Sequence, residues 1–191
     1  MISCNTMTEN LKTNLPSVAY IGLKDIPLVT HQSRIRCGYY TAEWIARAIG
    51  LHPKPANEII RGPLWFDIFR PVLPRDMMAI FKFRGMDSVQ VDLSKFSVSE
   101  RANWIKNEVT IKRKPPSILI RKKPLHWIAI GGYDDEKKIF YIYDSSFGLN
   151  STNPNLPIGN STIKYEDLDK LWTGGWFLNY RAIVINTDNL N

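Results

Sequence analysis

The sequence predicts an α+β fold, with helices in the N-terminal half and an antiparallel β-sheet in the C-terminal half. Apolar residues recur at helical spacing between residues 39 and 49, and Gly50 follows as a stop signal. After residue 116 the period changes, and β-rich segments bounded by turn residues lie at 117–120, 126–134 and 138–144. Helices first and strands afterwards, without a βαβ alternation, are typical of an antiparallel sheet.

The other segments carry weaker local signals. We expect a short strand or extended lead-in at 17–23 and irregular structure with short helical turns at 51–75. Two helices follow, one at 74–85 that ends at Gly85 and one at 98–109 that is capped near Ser97 or Ser99. A hairpin turn at 134–136, a short helix at 162–172 and a final strand at 181–186 complete the prediction.

Length and composition indicate one globular domain. Of the 191 residues, 44% are hydrophobic and 23% charged, so we expect a mobile leader over 1–16 and a single domain over 17–191. No apolar run reaches the roughly 18–20 residues that span a bilayer, and the N-terminus lacks the pattern of a signal peptide. With only Cys4 and Cys37 as cysteines, we expect a cytoplasmic protein, or one exported without a cleavable signal.

The net charge of +7 includes two basic clusters, at residues 112–114 and 121–123. Such clusters can bind nucleic acid, anionic lipid or an acidic protein substrate. Proline interrupts both clusters and no helical basic stripe forms, so we favour the interpretation that they are solvated strand ends and loops.

Cys37 and Gly38 lie at the start of the first predicted helix. The orphan N–H groups and the dipole of a helix N-terminus favour a thiolate, and a glycine lets another chain approach closely. Gln32 precedes Cys37, and its side-chain amide could donate to an oxyanion together with the Cys37 N–H. Each feature alone also fits an ordinary residue, a small buried hydrophobe for Cys37 and a polar loop residue for Gln32.

His126 opens one β-rich segment and Asp144 ends the next. A thiol nucleophile needs a base, and a carboxylate can orient the imidazole and stabilise its charged form. If the two strands form a hairpin with its turn near Asp135 or Glu136, the even separation of His126 and Asp144 puts both on one face. They would then lie directly opposite each other or one diagonal apart.

The order of these residues resembles that of a papain-like cysteine peptidase. The pattern Q-x-x-x-x-C-G, followed far downstream by PLHWIAIGGYD and IYDSSFG, is similar to the C39-like branch of bacteriocin-processing (double-glycine) peptidases and their stand-alone relatives. The resemblance runs from about residue 32 to 185. It implies a papain-like fold with Cys37 as nucleophile, His126 as general base and acid, Asp144 as its orienter and Gln32 as oxyanion donor.

The chain departs from this branch at two places. Relatives often carry Cys-Gly-Pro, whereas residues 37–40 here read CGYY, and many continue Asp-Pro after the acid, whereas residues 144–146 read DSS. Neither departure removes a catalytic atom, although both lie where the cleft is shaped. The ATP-binding pattern G-x-x-x-x-G-K-[ST] does not occur, so we expect the stand-alone form.

The resemblance implies cleavage of an amide bond through an acyl-enzyme, with a protein or peptide as substrate, for which acidic character is one option. Peptide hydrolysis is the favoured reaction, while glutamine deamidation and acyl transfer use the same catalytic residues and stay open. No cofactor, nucleic acid or membrane span is expected.

Two other classes of function compete with the enzyme. A non-enzymatic binding module for nucleic acid or an anionic surface would use the basic clusters together with Trp104 and Trp127. A zinc site is disfavoured, because the histidines and cysteines lack ligand-like spacing. His31 and His52 lie in loop-like contexts and are expected to be non-catalytic.

Overall fold

The computed structural model describes residues 15–21, 37–58, 72–122, 125–147, 153–173 and 178–186. Within these ranges the chain forms four α-helices and seven strands, and a short 3₁₀ turn over Ala56–Glu58. The helices are α1 (Cys37–Ala48), α2 (Pro74–Phe83), α3 (Val98–Thr110) and α4 (Tyr165–Leu171). The strands are β1 (Val18–Tyr20), β2 (Ser88–Asp92), β3 (Ser117–Ile120), β4 (His126–Asp134), β5 (Ile139–Tyr143), β6 (Ser161–Lys164) and β7 (Arg181–Ile185).

The strands form one antiparallel sheet in the order β2-β7-β3-β4-β5-β6. Strand β1 also pairs with β4, beyond the end of β3. All nine residues of β4 are buried, since α1 and α3 pack against this strand. The sheet therefore has its centre at β4, the strand that begins with His126.

The predicted α+β class with an antiparallel sheet is confirmed, and so are most of its elements. The predicted short helix over 162–172 is wrong at its start, because residues 162–164 belong to β6 and the helix begins at Tyr165. The β-branched Thr162 and Ile163 pair with β5, and this tertiary pairing decides their structure. Strand β2 was missed, although its sequence SVQVD alternates polar and apolar residues, which is the period of a strand.

Local signals fix the ends of two helices. The side chain of Ser97 accepts a hydrogen bond from the Glu100 N–H, and the Glu100 carboxylate accepts one from the Ser97 N–H, so α3 begins with a capping box. Helix α2 begins at Pro74, where a missing N–H costs nothing. Gly85, with φ of +75°, follows the C-terminus of α2.

The division into a leader over 1–16 and one domain over 17–191 stays a prediction. Residues 1–14 lie outside the described residues. Pro16, at the end of the predicted leader, accepts a hydrogen bond from the Tyr133 hydroxyl at 2.9 Å.

The β4–β5 hairpin changes register at Gly131. Near the turn Asp134 pairs with Ile139, and beyond Gly131 the pairing becomes Ile130 with Ile142. If the first register continued, Asp144 would lie across from an odd-numbered residue of β4 and on the opposite face from His126. The extra residue moves Asp144 one position, so that it lies one diagonal from His126 on the same face.

Trp44 of α1 packs into the space at Gly131. A Cβ at Gly131 would lie 2.7 Å from Cη2 of Trp44 and 3.1 Å from Cδ1 of Ile158. The indole also stacks on Tyr143 of β5, with ring centroids 5.6 Å apart and planes 2° apart. One fully buried side chain of α1 thus contacts both strands of the hairpin.

We expect the Gly131→Ala variant to be less stable by about 1–3 kcal/mol, because the added methyl overlaps a buried ring that has no room to move. Urea unfolding of Gly131→Ala, Trp44→Phe and the double variant measures this cost. Phenylalanine lacks the Cη2 atom, so Gly131→Ala should cost less in the Trp44→Phe background. Equal costs in both backgrounds would show that the Trp44 contact is not the constraint.

Candidate active site

Cys37 is the first residue of α1, and it is buried, with 6% of its surface exposed. Gly38 brings the helix close to the segment before and within α2. A Cβ at this position would lie 3.0 Å from Val72 Cγ1 and 3.2 Å from Ile80 Cδ1. Gly38 therefore permits α1 to pack closely against another part of the same chain.

The imidazole of His126 lies between a thiol and a carboxylate. Its Nε2 is 2.6 Å from Oδ1 of Asp144, and the Cys37 side chain is its other hydrogen-bond partner. Because Asp144 occupies Nε2, Nδ1 is the nitrogen that remains for Cys37. The structure thus brings together three of the four predicted site residues, with His126 at 6% and Asp144 at 2% exposure.

Asp144 is held by several groups besides His126. The N–H and the hydroxyl of Ser146 both donate to Oδ1, at 2.8 and 2.6 Å, and Lys122 Nζ donates to Oδ2 at 3.1 Å. The Asn160 amide fixes the backbone, since its Oδ1 accepts from the Asp144 N–H and its Nδ2 donates to the Asp144 carbonyl, each at 2.9 Å. The carboxylate therefore has a defined orientation before any substrate binds.

Two hydrogen bonds join the elements around the site. Thr41, one turn after Cys37, donates its hydroxyl to the Trp127 carbonyl at 3.0 Å. The indole N–H of Trp127 donates to the Val72 carbonyl at 2.7 Å. Because Trp127 is the neighbour of His126, these bonds fix α1 and the segment before α2 against the start of β4.

The charges of the site are strongly coupled. Burial by itself would lower the pKa of His126, but the hydrogen bonds and charges of Asp144 and Cys37 outweigh it and raise the pKa from 6.5 to about 9. Burial would likewise raise the pKa of Asp144, but the bonds and charge of His126, with the bonds from Ser146, hold it well below its usual range. The arrangement favours an imidazolium beside a carboxylate at neutral pH.

The fold matches that of a known protease. No protein-family model matches the chain, and no curated protein matches it in sequence. A solved structure, the double glycine motif protease from an AMS/PCAT transporter in complex with the leader peptide, covers 89% of this chain and 98% of its own, with a TM-score of 0.57 and 14% identity. The chain has the fold of a double-glycine motif protease. The predicted resemblance to the double-glycine peptidase branch is thereby confirmed, at the level of the fold.

The structure does not describe every residue that the sequence singled out. Gln32, the predicted oxyanion donor, lies outside the described residues, as do His31 and Cys4. His52 is exposed in the segment after α1. Sequence reasoning missed Lys122, Ser146 and Asn160. The DSS motif held a usable signal for Ser146, because Asp often accepts a bond from the N–H two residues later.

The two tryptophans that a non-enzymatic binding module would use are not accessible to a ligand. Trp104 and Trp127 are both buried, so neither can stack on a base. Of the basic residues, Lys122 contacts Asp144 rather than being only solvated. In the described part of the chain, no group of three or more His, Cys, Asp or Glu side chains could hold a metal ion, and no helix is long and apolar enough to cross a membrane.

The raised pKa of His126 links stability to pH. Since folding raises the pKa from 6.5 to about 9, the stabilisation is complete below the lower value and is lost as the pH rises through the upper one. We expect the free energy of unfolding, from urea titrations, to fall over this interval in the wild type and to change much less in Asp144→Asn. Parallel profiles for the two proteins would contradict this coupling.

Proposed function

We propose that the protein is a cysteine-dependent peptidase that cleaves an amide bond of a protein or peptide substrate. The observation that carries this proposal is the position of the His126 imidazole between the Cys37 thiol and the Asp144 carboxylate. Thiol-dependent acyl transfer requires a thiol, an imidazole and a carboxylate in this arrangement. The fold of a protease gives independent support.

In the first half of the reaction, His126 takes the thiol proton and the Cys37 sulfur attacks the carbonyl carbon of the substrate. The C=O π bond becomes an oxyanion, which the Cys37 N–H and the Gln32 amide stabilise. The tetrahedral intermediate collapses when His126 gives its proton to the amine. The C–N bond breaks, the amine leaves, and a thioester to Cys37 remains.

In the second half, His126 takes a proton from water and the hydroxide attacks the thioester. Collapse of the second tetrahedral intermediate breaks the C–S bond, and the proton returns to the sulfur as the acid product leaves. Asp144 stays ionised throughout, because its low pKa keeps it as the counter-charge of the imidazolium. The Ser146 and Asn160 bonds prevent the carboxylate from turning away.

A peptide substrate is favoured over deamidation and acyl transfer by the structural neighbour, which is a double-glycine motif protease solved with a leader peptide. A glycine pair has no Cβ, so it offers less steric resistance than any other pair of residues. Peptides that contain a Gly-Gly pair are therefore the first substrates to test.

The first test of the proposal compares wild type and Cys37→Ala on synthetic peptides with a central Gly-Gly pair, matched to peptides with Ala-Ala at the same place. Mass spectrometry should find a backbone cut by the wild type alone, because the variant lacks the nucleophile. A one-dalton increase at glutamine or a transferred acyl group would replace peptidase by deamidase or transferase. Identical products from both proteins would exclude Cys37 as nucleophile.

The second test follows the thiol and needs no substrate. An ordinary cysteine thiol has a pKa of about 8.5, whereas a thiol beside an imidazolium ionises at lower pH. We expect alkylation of Cys37 by iodoacetamide to remain fast well below neutral pH and to slow strongly in His126→Ala. Cys4, in the same chain and the same tube, is the reference for an ordinary thiol. Equal pH profiles for the two cysteines would contradict the proposal.

A further inference from the structure

The Asp144 carboxylate contacts a second cation besides His126. Lys122 Nζ lies 3.1 Å from Oδ2, while His126 Nε2 lies 2.6 Å from Oδ1. The Lys122 side chain is 43% exposed and that of Asp144 only 3%. A partly solvated positive charge thus reaches the carboxylate that pairs with the imidazole, and the mechanism above does not use it.

The position of Lys122 is fixed by the fold. It follows Ile120, the residue of β3 that pairs with His126. The Lys122 N–H donates to the Ile120 carbonyl at 3.1 Å, which turns the chain at the end of the strand. Its ammonium also donates to the Ser146 hydroxyl at 2.5 Å and lies 5.0 Å from the centroid of the Phe147 ring.

Groups other than Lys122 also orient the carboxylate. Ser146 donates two hydrogen bonds to Oδ1, and Asn160 holds the backbone on both sides of the residue. What Lys122 adds is charge. A positive charge beside Asp144 offsets part of the negative potential at the imidazole, which disfavours the imidazolium and favours the Cys37 thiolate.

We propose that Lys122 acts on the site through Asp144, and that its charge sets the pH range over which the thiolate–imidazolium pair of Cys37 and His126 persists. This inference rests on the proposed function. Both transitions of the pair, ionisation of the thiol at the acid end and loss of the imidazolium proton at the alkaline end, then occur at lower pH than they would without Lys122.

Other titratable groups lie on the elements packed near the site, and none of them changes in the test. Tyr143 precedes Asp144, and burial raises its pKa far above the usual range, with further contributions from Glu43 and Tyr40 of α1. Tyr143 therefore stays neutral. Glu43 forms an ion pair with Arg47 at 2.9 Å, so the two charges largely cancel at the site.

The test uses Lys122→Met with two matched proteins. Lys122→Arg keeps the charge. Lys137→Met removes a lysine paired at 2.9 Å with Asp134, at the opposite end of β4. The alkaline midpoint is read from the NMR titration of the His126 ring, assigned with His126→Asn, and the acid midpoint from the rate of Cys37 alkylation by iodoacetamide. Thermal unfolding checks that each variant is folded.

In Lys122→Met we expect both midpoints to rise by roughly half a pH unit. This is the size of pKa shift expected when a partly solvated charge in contact with Asp144 is removed. Lys122→Arg and Lys137→Met should keep the wild-type midpoints. In about 1 M salt, where the screening length is about 3 Å, the difference should shrink.

Two results would overturn the inference. Unchanged midpoints in Lys122→Met would make the ion pair a surface contact without effect on the site. A fall of the His126 midpoint together with a rise of the Cys37 midpoint would show that Lys122 holds the carboxylate in place instead of tuning its field. Failure of the proposed function can be told apart from failure of this inference. If the proposed function is wrong, wild-type Cys37 titrates as an ordinary thiol, and the His126 midpoint still reports the effect of Lys122.

Discussion

The absence of a side chain at Gly131 is the constraint on which the site depends. The extra residue there changes the register of the β4–β5 hairpin, and the register decides which face Asp144 shares with His126. The same absence leaves room for Trp44, which lies two turns after Cys37 on α1 and stacks on Tyr143. Gly131 thus determines both the register between β4 and β5 and the packing of α1 against the two strands.

The burial of the site explains why so many bonds converge on Asp144. Removing a carboxylate and an imidazolium from water is costly, and their mutual attraction compensates only when the remaining polar atoms are also satisfied. Here His126, Ser146 and Lys122 provide that satisfaction for both carboxylate oxygens. The polar network is complete around Asp144, and the thiol side of the imidazole is the part of it that the proposed reaction uses.

Much of the fold could be predicted from the sequence, and so could the proximity of three predicted site residues, Cys37, His126 and Asp144. Helical spacing located α1, and β-rich composition bounded by turn residues located β4 and β5. The shared face of His126 and Asp144 was predicted from a hairpin turn near residue 135. The observed turn over 135–138 by itself would separate them, and the bulge at Gly131 restores the pairing. Glycine inside a strand often marks a bulge, so the pair at residues 131 and 132 held a signal, but it does not say which register results.

The two departures from the double-glycine branch have different structural consequences. Tyr39, at the first departure, is buried, and its backbone carbonyl, which any residue would supply, accepts a hydrogen bond from Arg84 at 3.1 Å. It therefore joins α1 to the end of α2. The DSS motif instead alters the acid itself, since Ser146 donates twice to Asp144 and accepts from Lys122. The departure beside Cys37 is therefore accommodated by packing, whereas the departure beside Asp144 adds hydrogen bonds to its carboxylate. Hydrogen bonding and charge at Asp144 decide up to which pH the His126 imidazolium persists.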